Sequence, residues 1–132
     1  MKYLLDTNIC IYLIKNKPES VALKLKEVDI TDISISSVTT AELYFGVNKS
    51  SKKEQNQSAL NTFLLPFEIL SFDEKDSFIY GTIRAELERT GFPIGAMDLL
   101  IASQAISREL TLVTNNTYEF QRVKGLRIEN WV

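Results

Sequence analysis

Residues 2–15 read KYLLDTNICIYLIK, a short apolar run followed by a longer segment with a helical pattern. Residues 2–5, with the apolar run 3–5, predict a buried strand that stops at Asp6. Residues 7–15 bring apolar side chains back at helical spacing, with Ile9 and Leu13 on the inward face. A short apolar strand that runs straight into a helix is typical of a parallel sheet covered by helices.

The same order of strand and helix continues to the end of the chain. Further strands are predicted at residues 32–36, 67–70, 111–114 and 127–129, and further helices at 18–28, 39–47, 58–65, 74–90 and 96–109. Asp73 is expected to cap the helix at 74–90, and Phe78 to lie on its apolar face. We therefore predict a single α/β domain over residues 1–132, with a central parallel sheet of about five short strands flanked by helices on both faces.

The composition restricts the chemistry open to the chain. Its 132 residues suffice for one domain with its own core, and no apolar run is long enough to cross a bilayer. The absence of histidine excludes histidine-containing catalytic triads, histidine acid–base catalysis and histidine-bearing zinc sites. None of the five glycines belongs to a phosphate-binding loop motif. An enzyme with this composition would depend on carboxylates and a metal ion.

The single cysteine and the N-terminal residues bear on the cellular compartment. Cys10 has no partner for an internal disulfide, which favours a reducing cytoplasm. Polar residues at 6–8 interrupt the first apolar run, so it makes a poor signal peptide. We therefore expect a cytoplasmic protein without a membrane partner.

Four acidic residues occupy positions where a carboxylate needs an explanation: Asp6, Glu42, Asp98 and Glu119. The first ends a strand, the third opens a strongly apolar helix, and residues 114–119 follow the fourth strand. In parallel sheets, ligands bind beyond the carboxyl ends of the strands. Two carboxylates about 4 Å apart repel by roughly 4 kcal/mol, so a cluster of them predicts a bound divalent cation. Hard oxygen ligands suit magnesium or manganese and the chemistry of phosphate esters.

Each of these acids also has a purely structural explanation. Asp6 suits the N-cap of the helix that follows it, and Thr39 with Glu42 matches a capping box. Asp98 suits the positive end of a helix dipole, and Glu119 suits a solvated surface. For any one acid alone, the sequence leaves both explanations open.

Polar residues adjoin two of the acids. Thr7 and Asn8 directly follow the first acid, while Thr114 and Asn116 precede the fourth. Their hydroxyl and amide groups are suited to orienting carboxylates or holding water at a metal ion. Turn and helix-capping chemistry is the alternative for each of them.

Five segments, in this order along the chain, resemble the PIN-domain ribonucleases, and most of all the VapC toxins of bacterial toxin–antitoxin pairs. They are YLLDTN at residues 3–8, AEL at 41–43, IGAMDLLIA at 94–102, LVTNNTYEF at 112–120 and RVKGLRIENW at 122–131. The resemblance covers residues 2–131. It implies a PIN-like domain with a central parallel sheet, magnesium- or manganese-dependent endoribonuclease activity and neutralisation by a small VapB-type antitoxin.

By the same resemblance, the four acids of the family fall on Asp6, Glu42, Asp98 and Glu119. Asp6 and Asp98 would be the principal metal ligands, and Glu42 would complete that site or orient a water. Glu119 stands where relatives often have aspartate, so its longer side chain would serve a second metal or act through water. Close relatives cut transfer RNA, which makes the initiator transfer RNA the expected substrate and messenger or ribosomal RNA the alternative. The family also implies a homodimer that forms a larger complex with its antitoxin.

RNA binding requires residues outside the acidic group. Setting the four acids aside changes the net charge from −2 to +2, which is compatible with a polyanionic substrate, with an ordinary solvated surface as the alternative. The candidates for phosphate contacts are Lys49, Lys52 and Lys53. The aromatic candidates for stacking on bases, with burial in the core as the alternative, are Tyr44, Phe45 and Phe92.

Two other classes of α/β protein remain as alternatives. A phosphorelay receiver-like module also has a magnesium-binding acidic pocket, but it needs paired acids at the first strand and a lysine after the last. Here Asp6 stands alone, and no lysine directly follows residues 112–114. A catalytically silent, protein-binding relative would keep the fold without the chemistry, although all four acids are present in this chain.

Overall fold

Short strands and helices alternate through the whole chain in the computed structural model, which describes all 132 residues. The strands are β1 (Tyr3–Leu5), β2 (Ile33–Ser36), β3 (Glu68–Leu70), β4 (Thr111–Val113) and β5 (Ile128–Glu129). The helices are α1 (Thr7–Lys15), α2 (Glu19–Glu27), α3 (Ser37–Lys49), α4 (Lys53–Leu64), α5 (Glu74–Thr90), α6 (Ala96–Ser107) and α7 (Thr117–Phe120). One turn of 3₁₀ helix, Ile30–Asp32, precedes β2. None of the helices combines the length and the apolar character that a membrane crossing requires.

All five strands are parallel, in the order β3-β2-β1-β4-β5. Tyr3 of β1 pairs with Ile33 of β2 on one side and with Thr111 of β4 on the other, so β1 lies at the centre. Because parallel strands end at the same edge of a sheet, Asp6 emerges in the middle of the carboxyl edge. The predicted α/β fold with five short parallel strands is confirmed.

Successive side chains of β1 enter two separate cores. Leu5 packs in one core with Ile9 of α1, and Leu4 packs in the other with Leu99 of α6 and Phe120 of α7. Neighbouring side chains of a strand point to opposite faces, so helices cover the sheet on both sides. Each of these buried side chains contributes roughly 1.5–3 kcal/mol of hydrophobic stabilisation. The packing on both faces holds the carboxyl edge of the sheet rigidly in place.

Helix α3 begins two residues earlier than predicted, and this changes the setting of Glu42. Ser36 is the N-cap, and its hydroxyl oxygen accepts a hydrogen bond from the Val38 amide at 3.0 Å. Strand β2 passes into α3 without a loop, so the last residue of the strand serves as the cap. Glu42 therefore lies in the second turn, which excludes the capping box between Thr39 and Glu42 that the sequence left open as an alternative.

Two further helix predictions need comment. α4 begins at Lys53 rather than at residue 58, so most of the expected polar connection is helical. α5 begins where the sequence predicts, with Asp73 and Asp76 in a reciprocal capping box. Phe78, however, is 74% exposed, so its expected place on the apolar face of α5 is wrong.

Candidate active site

Asp6 is held in a fixed position at the centre of the carboxyl edge, where it is only 3% exposed. Its Oδ1 accepts a hydrogen bond from the Thr7 amide at 2.8 Å, and its Oδ2 accepts one from the Thr114 hydroxyl at 2.7 Å. Burial raises the pKa of Asp6, the two hydrogen bonds lower it, and the charge of Glu42 raises it, with a net upward result. Asp6 therefore caps α1, and it is also a buried acid whose charged form would gain from a nearby cation.

Thr7 links the first two acids. Its amide donates to Asp6, and its hydroxyl donates to Oε1 of Glu42 at 2.6 Å. The hydroxyl oxygen of Thr39 lies 3.2 Å from that of Thr7. A hydroxyl carries one proton, so Thr7, which gives its proton to the carboxylate, accepts the proton of Thr39. This chain of hydrogen bonds fixes one oxygen of Glu42.

Asp98 lies in the first turn of α6 and is half-buried. Its pKa is raised to about 6, first by burial and then by the negative charges of Asp6, Glu119 and Glu42. The positive end of a helix dipole would instead lower this pKa. Burial and the neighbouring acids thus disfavour the charged form of Asp98 unless a cation is bound nearby.

Glu119 reaches the group from α7, the short helix after β4. The side-chain amide of Asn116 donates to Oε2 of Glu119 over a long 3.4 Å. The backbone amide of Asn116 donates to the hydroxyl oxygen of Thr114 at 3.0 Å, and that hydroxyl in turn donates to Asp6. The segment after β4 thus connects the first acid with the fourth.

The four acids share one electrostatic environment. The pKa of Asp98 responds to the charges of all three others, and that of Asp6 responds to Glu42. The five salt bridges of the protein involve other residues. No lysine or arginine therefore forms a salt bridge with this group, which we call the acidic cluster (Asp6, Glu42, Asp98 and Glu119).

The acidic cluster fits a divalent cation that keeps part of its water shell. All of its potential metal ligands are carboxylate oxygens, which magnesium and manganese prefer. No three of the acids converge closely enough to enclose an ion by themselves. Magnesium usually binds one or two carboxylates and retains several waters, so an open cluster suits it better than a closed cage would.

The remaining predicted residues lie around the acidic cluster at different distances from it. Asn8 is exposed on α1. The three predicted RNA-binding lysines are exposed at the junction of α3 and α4: Lys49, Lys52 and Lys53. Lys49 follows Glu42 by seven residues, about 10 Å along the axis of α3. The lysines therefore lie beyond the helical turn that carries Glu42 and are not part of the cluster.

Sequence reasoning left the burial of the aromatic residues open and missed the role of one hydroxyl. Tyr44, Phe45 and Phe92 are all exposed, so burial in the core is excluded for them. Thr39 is fully buried beside Thr7, where it supports the hydrogen bond to Glu42. The spacing of three residues between Thr39 and Glu42 is visible in the sequence, but there it predicts a helix cap.

Comparison with known proteins agrees with this fold. The family model described as the PIN domain matches residues 3–126. Ribonuclease VapC2 of Rickettsia felis is 52% identical over 132 residues, covering 99% of this chain and 98% of the relative. The tRNA(fMet)-specific endonuclease VapC of Shigella flexneri is 47% identical over 131 residues, again covering 99% and 98%. The chain belongs to the PIN domain family and, within it, to the VapC ribonucleases.

A solved structure extends this similarity to the whole fold. The crystal structure of VapBC2 from Rickettsia felis, bound to a DNA fragment from the promoter, contains a chain 51% identical to this one. The two chains match with a TM-score of 0.93, and the alignment covers 100% of each. The similarity therefore includes the sheet, both helical layers and the loops that carry the acids.

Proposed function

We propose that one PIN domain over residues 1–132 is a magnesium- or manganese-dependent endoribonuclease that cuts a transfer RNA. The observation that carries this proposal is the acidic cluster at the carboxyl edge of the sheet, which forms no salt bridge in the protein. Burial, together with the other three acids, raises the pKa of Asp98 to about 6. Relatives named as VapC ribonucleases, and one named for tRNA(fMet), support the initiator transfer RNA as the expected substrate.

The four acids would have different roles in binding the cation. Asp6 and Asp98 would be its principal ligands, and Glu42 would complete the site or orient a water. Glu119, which has the longer side chain, would serve a second ion or act through water. A bound cation supplies positive charge for the phosphate oxygens and activates water for in-line attack on phosphorus.

The other residues keep these carboxylates in position before the RNA arrives. Thr114 and the amide of Thr7 hold both oxygens of Asp6, and the Thr7 hydroxyl holds Oε1 of Glu42. The second oxygen of Glu42 remains available to accept a hydrogen bond from water. Groups that are positioned in advance lower the barrier because they need no rearrangement during the reaction.

We further propose that a VapB-type antitoxin neutralises the enzyme, which forms a homodimer and a larger complex with that antitoxin. An apolar groove between α1, α3 and α4 supports this proposal, since its lining includes Ile11, Leu43 and Val47 and also Glu42. A peptide with apolar side chains would fit the groove and direct a basic residue towards the acids. The relative from Rickettsia felis was solved as a VapBC complex.

Cleavage of total cellular RNA by purified, antitoxin-free protein tests the proposal. The reactions would contain magnesium, manganese or a chelator, and the new RNA ends would be mapped. We expect a discrete cut in one transfer RNA that disappears with the chelator. Cuts confined to messenger or ribosomal RNA would support the alternative substrate. Absence of cutting by folded protein with either metal would contradict the enzyme proposal and favour a catalytically silent binding domain.

A further inference from the structure

Two exposed aromatic rings flank one arginine, Arg122. Phe92 is 59% exposed and Tyr118 is 71% exposed. The guanidinium carbon of Arg122 lies 5.7 Å from the ring centroid of Phe92 and 5.1 Å from that of Tyr118. Distances below about 6 Å are typical of cation–π contacts. We call these three residues the Arg122 stack.

The guanidinium of Arg122 is oriented but not neutralised. Its Nη1 donates a hydrogen bond to the backbone oxygen of Pro93 at 3.3 Å, and it takes part in no salt bridge. An arginine side chain has five N–H donors, so four remain without a protein acceptor. Planar guanidinium groups with free donors suit phosphate oxygens, which they bind through two parallel hydrogen bonds.

The two segments that carry the Arg122 stack also carry acids of the cluster. Tyr118 directly precedes Glu119 in α7. Phe92 lies in the loop of residues 91–95 that leads into α6, and a Cβ atom built on Gly95 would lie 3.9 Å from Oδ2 of Asp98. The stack therefore lies on two segments of the chain that also carry Asp98 and Glu119.

We propose that the Arg122 stack binds an unpaired nucleotide next to the scissile phosphate of the RNA. The base lies on the exposed ring of Tyr118 or Phe92, and Arg122 contacts a backbone phosphate. This inference rests on the proposed ribonuclease function and adds a substrate-binding subsite to it. Unpaired RNA bases are commonly bound by stacking on aromatic rings and guanidinium planes, with little dependence on sequence.

A protein partner fits this surface less well than RNA does. Protein-binding patches are contiguous apolar areas with few charges at their centre. Here the two rings are separated by the uncompensated charge of Arg122, which favours a polyanion with flat apolar bases. Antitoxin binding at the stack is the alternative that the test distinguishes from RNA binding.

The test measures cleavage and binding of one defined probe, an initiator transfer RNA transcript. Tyr118→Ala should lower kcat/KM and the affinity about 5- to 150-fold, the range for loss of one stacked base. Tyr118→Phe should stay within about twofold of the wild type, because it keeps the ring. Phe78→Ala is the matched control, since it removes a similarly exposed ring near the N-terminal end of α5, whereas Phe92 follows the C-terminal end of that helix.

Salt dependence separates a phosphate contact from a structural role of Arg122. Binding would be measured in chelator, so that the transcript stays intact, over a series of salt concentrations. Arg122→Gln should reduce the slope of log affinity against log salt by about 0.7, the value for one phosphate contact on a single strand. A substitution that only loosened the loop would leave this slope unchanged.

The outcomes distinguish this inference from the function on which it rests. If the wild type neither binds nor cuts RNA, both proposals fail. If the wild type cuts the transcript while Tyr118→Ala and Arg122→Gln keep its affinity and salt slope, the subsite is wrong and the nuclease proposal stands. Loss of antitoxin binding without loss of RNA binding in Tyr118→Ala would assign the stack to a protein contact instead.

Discussion

The Thr7 hydroxyl donates a hydrogen bond to Oε1 of Glu42 at 2.6 Å, across 35 positions of sequence. The amide of the same residue donates to Asp6 at 2.8 Å. One threonine therefore ties the acid after the central strand to the acid in the second turn of α3. Helix α3 sets the backbone position of Glu42, and the hydrogen bond from Thr7 orients its carboxylate.

Replacement of Thr7 by valine should lower activity without unfolding the protein. Valine matches the shape of threonine but cannot donate to Glu42, whereas Thr7→Ser keeps the hydroxyl. Loss of such a supporting hydrogen bond typically costs about 10- to 100-fold in metal affinity or activity. Cleavage rates and magnesium affinities of both variants would be measured. Wild-type values for Thr7→Val would show that Glu42 needs no such support.

Asp98→Asn should stabilise the metal-free protein. Burial and three neighbouring acids raise the pKa of the Asp98 carboxyl from 3.8 to about 6, so they disfavour its charged form. At pH 7 the substitution removes that charge. That shift corresponds to at most roughly 3 kcal/mol, and solvent screens a half-exposed group, so we expect a gain of about 1–2 kcal/mol. The free energy of unfolding in urea with chelator would measure it.

Magnesium should reverse this order of stability. A ligand that binds only the folded state raises the melting temperature, so the wild type should gain from magnesium and Asp98→Asn should gain much less. Thermal unfolding with and without magnesium would compare the two. An equal gain in both proteins would place the cation away from Asp98.

Asp76 should make stability depend on pH independently of the active site. Burial raises its pKa, but hydrogen bonds from Arg108 and from the Asp73 amide, together with the charge of Arg108, outweigh burial and lower it below 3.8. The unfolded chain then binds the proton more tightly, so this stabilisation is present above about pH 4 and is lost as pH falls through the folded pKa.

The variant Asp76→Asn tests that dependence. It should cost about 1–3 kcal/mol at pH 7, because it weakens a buried charge-assisted hydrogen bond, and progressively less below pH 4. Glu74→Gln, an exposed acid in the same helix, is the control and should change stability by less than about 0.5 kcal/mol. Urea unfolding between pH 7 and pH 2 would measure both. A constant difference across that range would refute the pKa argument.

The lysines at the junction of α3 and α4 should contribute to RNA affinity through phosphate contacts. Each lysine that contacts a phosphate of a single strand adds about 0.7 to the salt slope of binding. The double variant Lys52→Ala, Lys53→Ala should therefore lower the slope by about 1.4 if both make contact. Lys49→Ala tests the residue that lies 5.5 Å from the ring centroid of Phe45. Unchanged slopes in these variants would remove the lysines from the RNA-binding surface.

Local sequence patterns predicted the strands and helix α5 because their signals act at short range. The cap at Asp73 depends on a residue only three positions away, and β1 is a short apolar run in a chain that alternates strands with helices. The first residue of α3 was harder to predict, since residues 36–40 include several polar side chains suited to capping. Only the passage of β2 into α3 selects Ser36.

The sequence predicted that Thr7 and Thr114 orient carboxylates, but not which acid the hydroxyl of each would contact, because those contacts are distant in sequence. The hydrogen bond from Thr114 to Asp6 spans 108 positions, and the sequence around either residue does not indicate this pairing. The exposure of Phe92 and Tyr118 was equally hard to predict, since large aromatic residues usually predict burial. Such features require the assembled sheet.

Single-turnover cleavage of an initiator transfer RNA transcript tests the central claim most directly, namely that the acidic cluster cuts RNA with a divalent cation. The wild type, Asp98→Asn and the surface control Glu74→Gln would be compared with magnesium and with chelator. We expect cutting by the wild type and the control only with magnesium, and a rate at least about 100-fold lower for Asp98→Asn. Cleavage by folded Asp98→Asn at the wild-type rate, or cleavage by the wild type in chelator, would contradict the account.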